Sequence, residues 1–418
     1  MTNTAFPAST MAAIPPTRQD LVSVIMSNFR GARWLPMAIA SVLAQSHQML
    51  ELIIVDDASG DDSVSVIKAA MAADPRVRLI ECPENLGPAG ARNLALDAAS
   101  GSWVAIVDSD DLLHPARLER LISAAYQLGT DAVADDMIFF GDTADAGGRT
   151  LLQSLALTTP QSLPLVDLIA SDNGGSGLPF YGYLKPLIRR DALRGLRYDP
   201  TLRVGEDFDF YARLIANGLR FTLVPDAMYL YRRHSASLSH RLTTEALLPL
   251  TVAHAALEQS VPATDPRLAA AMRHRRDALT WALHYSRLVT ALKRGNLSDI
   301  FRLLARHPRL VKPFWQSMRE RLARRYDDGP QTQKSPLSLV LMSDEANAPP
   351  DMVPPDARRI TVPRVAPPGE PSSLPLAPLA AELSGLSSRH QLDVLAIGPE
   401  GRHAAGMLPQ TDRVRFWP

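Results

Sequence analysis

Cysteine is nearly absent: Cys82 stands alone among 418 residues. That excludes an intramolecular disulfide and fits a reducing compartment. No histidine lies near Cys82 in a recognisable pattern, so it reads as a small apolar residue after a strand rather than as a catalytic thiol. Long apolar runs are missing too. No stretch of about 18 apolar residues occurs, so no segment reads as a membrane-spanning helix. Residues 1–18 lack a basic start followed by an apolar core, and read as a disordered tail rather than a signal peptide. Neither sign of charge is in excess, with 44 Lys plus Arg against 44 Asp plus Glu. No global field therefore favours nucleic acid, and residues 19–240 carry no basic, aromatic-studded face of the kind a nucleic-acid binder needs. A glycine-rich G-x-G-x-x-G turn is also lacking. Ser27-Asn28-Phe29-Arg30-Gly31 follows the first strand-like run instead, which argues against a dinucleotide-dependent oxidoreductase.

What is present is a set of apolar runs that end in acids. Residues 103–115 read WVAIVDSDDLLHP. Five apolar residues give way to Asp108, Asp110 and Asp111, as when a buried strand delivers carboxylates to the edge of a sheet. Acids this close repel one another and call for a cation or a strong structural reason. An Asp-x-Asp pair can hold one hard divalent ion and leave positions open for phosphate oxygens. The plainer reading is an Asp-rich turn that caps a helix starting near Pro115. An earlier run, residues 51–55, ends in Asp56-Asp57, and residues 21–26 end in Ser27-Asn28. Between the runs lie helical patterns. Residues 36–45 put Ile39, Val42 and Leu43 on one face. Residues 63–71 do so with Val64, Ile67 and Met71, and residues 88–98 with Ala91, Leu94, Ala95 and Ala98. This alternation means βαβ units and a largely parallel sheet. In such a sheet, ligands bind beyond the carboxyl ends of the strands.

These motifs carry a family resemblance. SVIMSNFRGARWLPMAIASVLAQSHQMLELIIVDDASGDDS, ENLGPAGARNLALDAASGSWVAIVDSDDLLHPARLERL and VGEDFDFYARL occur in order across residues 20–240. They resemble a family 2 nucleotide-sugar glycosyltransferase of the GT-A type, closest in flavour to bacterial exopolysaccharide and succinoglycan-type transferases. The resemblance implies a Rossmann-like, mostly parallel sheet flanked by helices. It implies an inverting transfer of a sugar, glucose by this flavour, from a UDP-sugar to a hydroxyl of a glycan or lipid-linked oligosaccharide. The departing diphosphate needs its charge neutralised, which a divalent metal such as Mg²⁺ or Mn²⁺ does as a Lewis acid.

The resemblance also implies residue roles. Asp110 is the direct metal ligand, with Asp108 on the ribose or the metal, and Asp111 caps the next helix. Asp57 accepts the imide N–H of uracil, supported by Asp56; cytosine has an acceptor in that place, so the contact selects uridine. Ser27 contacts the base or ribose, and Arg92 lies near the base or phosphates. Asp207, in the first turn of a helix whose dipole keeps it ionised, is the base for the acceptor hydroxyl. In Tyr231-Arg232-Arg233-His234, Arg232 is a phosphate contact and His234 a metal ligand. Each role has a plainer rival: capping for Ser27, Asp56 and Asp207, a salt bridge for Arg92, an ordinary surface position for His234. Arg213 reads as the structural partner of an acid.

The remaining segments frame this domain. Residues 19–240 are the catalytic domain, with a helix over 206–216, strands over 220–224 and 227–231, and a glycine-bearing loop at 173–177 that would either close over substrate or simply turn. Residues 241–330 read as helical. Within 293–325, Lys293, Arg294, Arg302, Arg306 and six further basic residues face only Asp299 and Glu320, with Phe301, Phe314 and Trp315 interleaved. This is a basic amphipathic element suited to an anionic lipid surface, or else a helical pair with a solvated basic face. The expected location is the cytoplasm, peripheral on the inner face of the cell membrane. Residues 331–418 read as a Pro-rich linker with a small α/β piece, comprising strands over 337–342 and 392–397 and a helix over 379–386. Two rivals remain: a catalytically inactive homologue serving as an assembly subunit, and a metal-dependent nucleotidyltransferase. The intact acids oppose the first, and the GED helix followed by YRRH opposes the second.

Overall fold

The computed structural model describes residues 20–141, 149–173, 176–233, 243–262 and 264–311, together with the backbone of four strands between 335 and 417. The chain divides into two compact units, residues 1–237 with 335–418, and residues 238–334.

The acid-tipped runs form strands β1 (Val22–Asn28), β2 (Leu50–Asp56) and β4 (Trp103–Ile106), with β3 (Val77–Glu81) completing the first half. All four are parallel, in the order β3-β2-β1-β4. Every residue of β2 is buried, as a strand covered on both faces must be, which is why residues 52–55 are a continuous apolar run rather than an alternating one. Helices α1 (Leu35–Leu43), α2 (Ser63–Ala73) and α3 (Gly87–Ala98) make the crossovers. Pro36 and Pro88 sit in the first turns of α1 and α3, where a missing N–H costs nothing.

The second half continues through β5 (Leu112–Leu113), α4 (Arg117–Leu128), β6 (Ala132–Gly141), β7 (Gln161–Ser162), α5 (Leu165–Ser171), β8 (Leu187–Arg189), α6 (Glu206–Ala216) and β9 (Phe221–Arg233). The nine-stranded sheet runs β3-β2-β1-β4-β8-β6-β9-β5, with β7 also on β9. The short strands β5, β7 and β8 are antiparallel to their neighbours, while β6 and β9 run parallel to each other. The sheet is thus the mostly parallel α/β arrangement read from the sequence. The two strands expected over 220–224 and 227–231 are one strand. Leu223 pairs with Ala134 and Ala227 with Asp136, so Val224-Pro225-Asp226 forms a bulge that takes Pro225 out of the ladder.

The helical unit contains α7 (Thr244–Ser260), α8 (Pro266–Lys293) and α9 (Leu297–Arg306). Each begins at a side-chain cap, from Thr243, Asp265 and Asn296. His254 on α7 is buried between the Met272 carbonyl and Arg275 of α8, and Arg276 pairs with Glu258. On α9, Leu297 and Phe301 are 78% and 77% exposed. No helix among the described residues is long and apolar enough to cross a membrane.

Strands β10 (Ser335–Met342), β11 (Arg358–Thr361), β12 (His390–Ile397) and β13 (Arg413–Trp417) form a separate parallel sheet in the order β11-β10-β12-β13. The helix expected over 379–386 and the tail at 1–18 lie outside the described residues.

Candidate active site

The parallel strands deliver their acids to one edge of the sheet, where two clusters form. The first lies at the ends of β1 and β2. Asn28 pairs in register with Asp56. One Asp56 oxygen accepts from Asn28 Nδ2 at 2.8 Å and from Ser59 Oγ at 2.6 Å, and the other accepts from the Ser59 amide at 3.1 Å. Asp57 reaches across to α3. Its two oxygens accept from the amides of Leu86 and Gly87 at 2.6 and 2.8 Å. These are N–H groups that the start of a helix cannot satisfy internally, and α3 has no side-chain cap of its own. Gly87 is required there: its φ is +80°, and a Cβ would meet Arg203 Nη1 at 2.5 Å. Ser27, half-buried in β1, lies opposite Val55.

The second cluster gathers residues from four segments. Arg92 of α3 donates to Asp108 Oδ1 and Glu206 Oε1 at 2.7 Å each, and lies 3.4 Å from Asp207 Oδ1. Lys185, just before β8, contacts Asp108 Oδ2 and Asp207 Oδ2, both at 2.7 Å. Asp108, Arg92, Asp207 and Lys185 therefore close a ring of alternating charge, with Glu206 as an extra acid. Burial alone would raise the Asp108 carboxyl, but Lys185 and Arg92 outweigh it and hold Asp108 down at about 2. Burial pushes Glu206 up against the pull of Arg92. The same three acids raise Arg92 well above its ordinary value despite burial. Asp207 Oδ1 has no hydrogen-bond partner among the described residues. Gly205, at φ +75°, turns the chain into α6 so that Glu206, Asp207 and Asp209 fall in its first turn. Asp209 pairs with Arg213 at 2.6 Å, the structural pairing expected of that arginine.

The D-x-D loop is fastened to β9. Asp111 does not cap α4, whose N-cap is Ala116 with no side-chain cap bond. It is buried instead, accepting from Tyr229 Oη and the Arg232 amide at 2.7 Å each. The loop turns inward before the helix starts, so Asp111 points at β9. Burial and the neighbouring Asp110 and Asp108 push it well above the carboxylate range. Arg232, expected at a phosphate, is buried. It donates to the Asp110 carbonyl at 2.7 Å and stacks on Trp34 and Phe140 at 4.2 and 4.3 Å. It holds the acidic loop in place. His234 lies outside the described residues.

Arg92, Asp108 and Asp207 thus come together, while Asp56 and Asp57 stand apart from them. Sequence reasoning missed Lys185, Glu206 and the buried Arg117–Asp135 pair, bonded at 2.7–3.1 Å. One signal was available: Lys185 interrupts the apolar run FYGYLKPLI, and a lysine there is buried only with partners. No group of three or more metal-ligating side chains occurs among the described residues. Asp110 nevertheless offers a hard carboxylate, and Asp108 a second whose two oxygens already meet Arg92 and Lys185. That set fits a small divalent ion drawing its other ligands from phosphate and water. Cys82 is buried, and its thiol is raised by burial and by Asp57 and Asp56, so it stays protonated.

An open α/β sheet with carboxylates and cations converging beyond its strand ends is the arrangement of a nucleotide-handling enzyme. The chain belongs to glycosyltransferase family 2 and is a glycosyltransferase. The family model described as glycosyl transferase family 2 matches residues 23–194. The chain is 37% identical over 237 residues to the succinoglycan biosynthesis protein ExoU of Rhizobium meliloti, covering 55% of this chain and 67% of that one. It is 32% identical over 308 residues to ExoO of the same organism, also named a succinoglycan biosynthesis protein, covering 72% and 86%. Among solved structures, S. aureus TarS 1–349 in complex with UDP-GlcNAc is similar at TM-score 0.47 and 18% identity, over 66% of this chain and 88% of that one. The mannosyltransferase PcManGT of Pyrobaculum calidifontis, in complex with GDP-Man and Mn²⁺, is similar at 0.46 and 22%, over 72% and 85%.

Proposed function

We propose that this glycosyltransferase moves a sugar, with inversion, from a UDP-sugar to a hydroxyl of a glycan or lipid-linked oligosaccharide in bacterial exopolysaccharide synthesis. UDP-glucose is the proposed donor. The names of the ExoU and ExoO relatives support the setting. The observation that carries the chemistry is the state of Asp207. One of its oxygens is held by Lys185 at 2.7 Å, while the other lies 3.4 Å from Arg92. A carboxylate gripped by one short contact and one long one can turn its second oxygen toward an acceptor hydroxyl. That hydroxyl gives up its proton there as its oxygen attacks the anomeric carbon and the bond from that carbon to the UDP phosphate breaks.

Asp110 and Asp108 would hold a Mg²⁺ or Mn²⁺ ion, which neutralises the leaving diphosphate as a Lewis acid. Asp57, Asp56 and Ser27 form the nucleoside side. Each Asp57 oxygen accepts one backbone amide, which leaves capacity for the imide N–H of uracil. The test separates binding from transfer. Asp207→Asn should bind UDP as before, while transfer falls by about 10²–10⁴-fold. Transfer at the normal rate would reduce Asp207 to a helix-end acid.

The acceptor side of the reading is a membrane surface. Arg302 and Arg306 flank the exposed Leu297 and Phe301 on α9. Each cation near an anionic bilayer adds about 1 kcal/mol. The protein should bind anionic vesicles at low salt and leave them at high salt. A protein that ignores such vesicles at low salt has a plain helical unit and a soluble acceptor.

A further inference from the structure

Lys185 was not among the residues the sequence pointed to, and nothing in the family match assigns it a role. Its ammonium joins the two halves of the reaction, contacting Asp108 on the donor side and Asp207 on the acceptor side at 2.7 Å each. The lysine is itself held. Its side chain is 4% exposed, and its carbonyl accepts from Arg117 Nη2. Arg117 is clamped in turn by three bonds to buried Asp135. Pro186 follows, which restricts the backbone of the residue before it. A lysine fixed at both its backbone and its head has little freedom left, and losing side-chain freedom has an entropic cost. Simple neutralisation does not account for the arrangement, because the cluster keeps three carboxylates against two cations.

We propose that Lys185 is a positioning residue for sugar transfer: it grips one oxygen of Asp207, fixes the plane of that carboxylate and keeps it in register with Asp108. The inference rests on Asp207 being the base. It separates two effects. Donor binding draws on Asp57 and Asp110 as well as on Asp108, so it weakens only slightly without Lys185. The orientation of Asp207 is lost without it, and a misplacement of about 1 Å at a reacting group costs on the order of 10²-fold in rate.

The experiment uses the full chain, with UDP as the binding probe and UDP release from UDP-glucose as the rate, both with Mn²⁺. Lys185→Met should bind UDP only slightly less tightly than the unmodified protein while its kcat falls about 10²-fold. Lys185→Ala should lose as much and regain rate with added ethylammonium chloride, but not with sodium chloride at equal ionic strength. A Lys185→Met protein with normal kcat overturns the proposal. So does a rate loss in Lys185→Ala that ethylammonium leaves unchanged, or a failure of both variants to fold, since each makes the lysine a packing element. Asp207→Asn run alongside tells the two failures apart. If it is inactive while Lys185→Met is normal, only the role of Lys185 falls. If it turns over normally, the base assignment falls and Lys185 with it.

Discussion

The two acidic clusters at the sheet edge solve the same electrostatic problem in different ways. At the ends of β1 and β2, Asp56 and Asp57 are held by amides, a hydroxyl and a carboxamide, with no cation in hydrogen-bond contact among the described residues. Beyond β4, Asp108, Glu206 and Asp207 are held by Arg92 and Lys185. Backbone amides cannot move without moving the fold, so the first cluster is a fixed frame. The second is held through side-chain heads, ion pair by ion pair, and so depends on charge balance rather than on the path of the chain. Backbone geometry does the holding on one side and charge on the other.

This contrast can be broken by substitution. Arg92→Met should have the largest effect. It leaves three buried carboxylates with Lys185 alone, and removing one partner of a buried ion pair costs about 3–5 kcal/mol. Denaturant unfolding would measure it. Asp57→Asn should cost less, about 1–3 kcal/mol, because one amide keeps an acceptor while the other loses its charged partner. The same variant should lose the preference for UDP over CDP, read from nucleotide binding. If Asp57→Asn proves the more destabilising of the two, the ionic cluster is not the more strained region, and the contrast drawn here fails.

The acids and Arg92 were legible in the sequence, whereas Lys185 and the ion pairs that join the cluster were not, for a physical reason. A carboxylate at the end of a buried strand is set by local pattern: the run WVAIV must be a strand, so Asp108 must emerge at its end. The partner of Arg92 is set by how α6 packs. Glu206 is 114 residues away in sequence, and no spacing rule brings it near. Lys185 is a similar case, placed by the antiparallel strand β8 between β4 and β6. The parallel half of the sheet followed from alternating strand and helix patterns. The short antiparallel strands did not, because two or three residues carry no period. Asp111 was misread because the segment from 112 to 116 looks like the approach to a helix, whereas Leu112-Leu113 pairs with β9 first and turns the preceding acid inward.

The grip of Asp57 on the start of α3 has a mechanical consequence. Arg92 lies five residues into that helix, about 7.5 Å along its axis. The helix is pinned at its start by Asp57 and carries near its middle the cation that holds Asp108 and Glu206. Any shift of the β2 end is therefore passed along α3 to the ionic cluster, so the two acidic clusters are not set independently of each other.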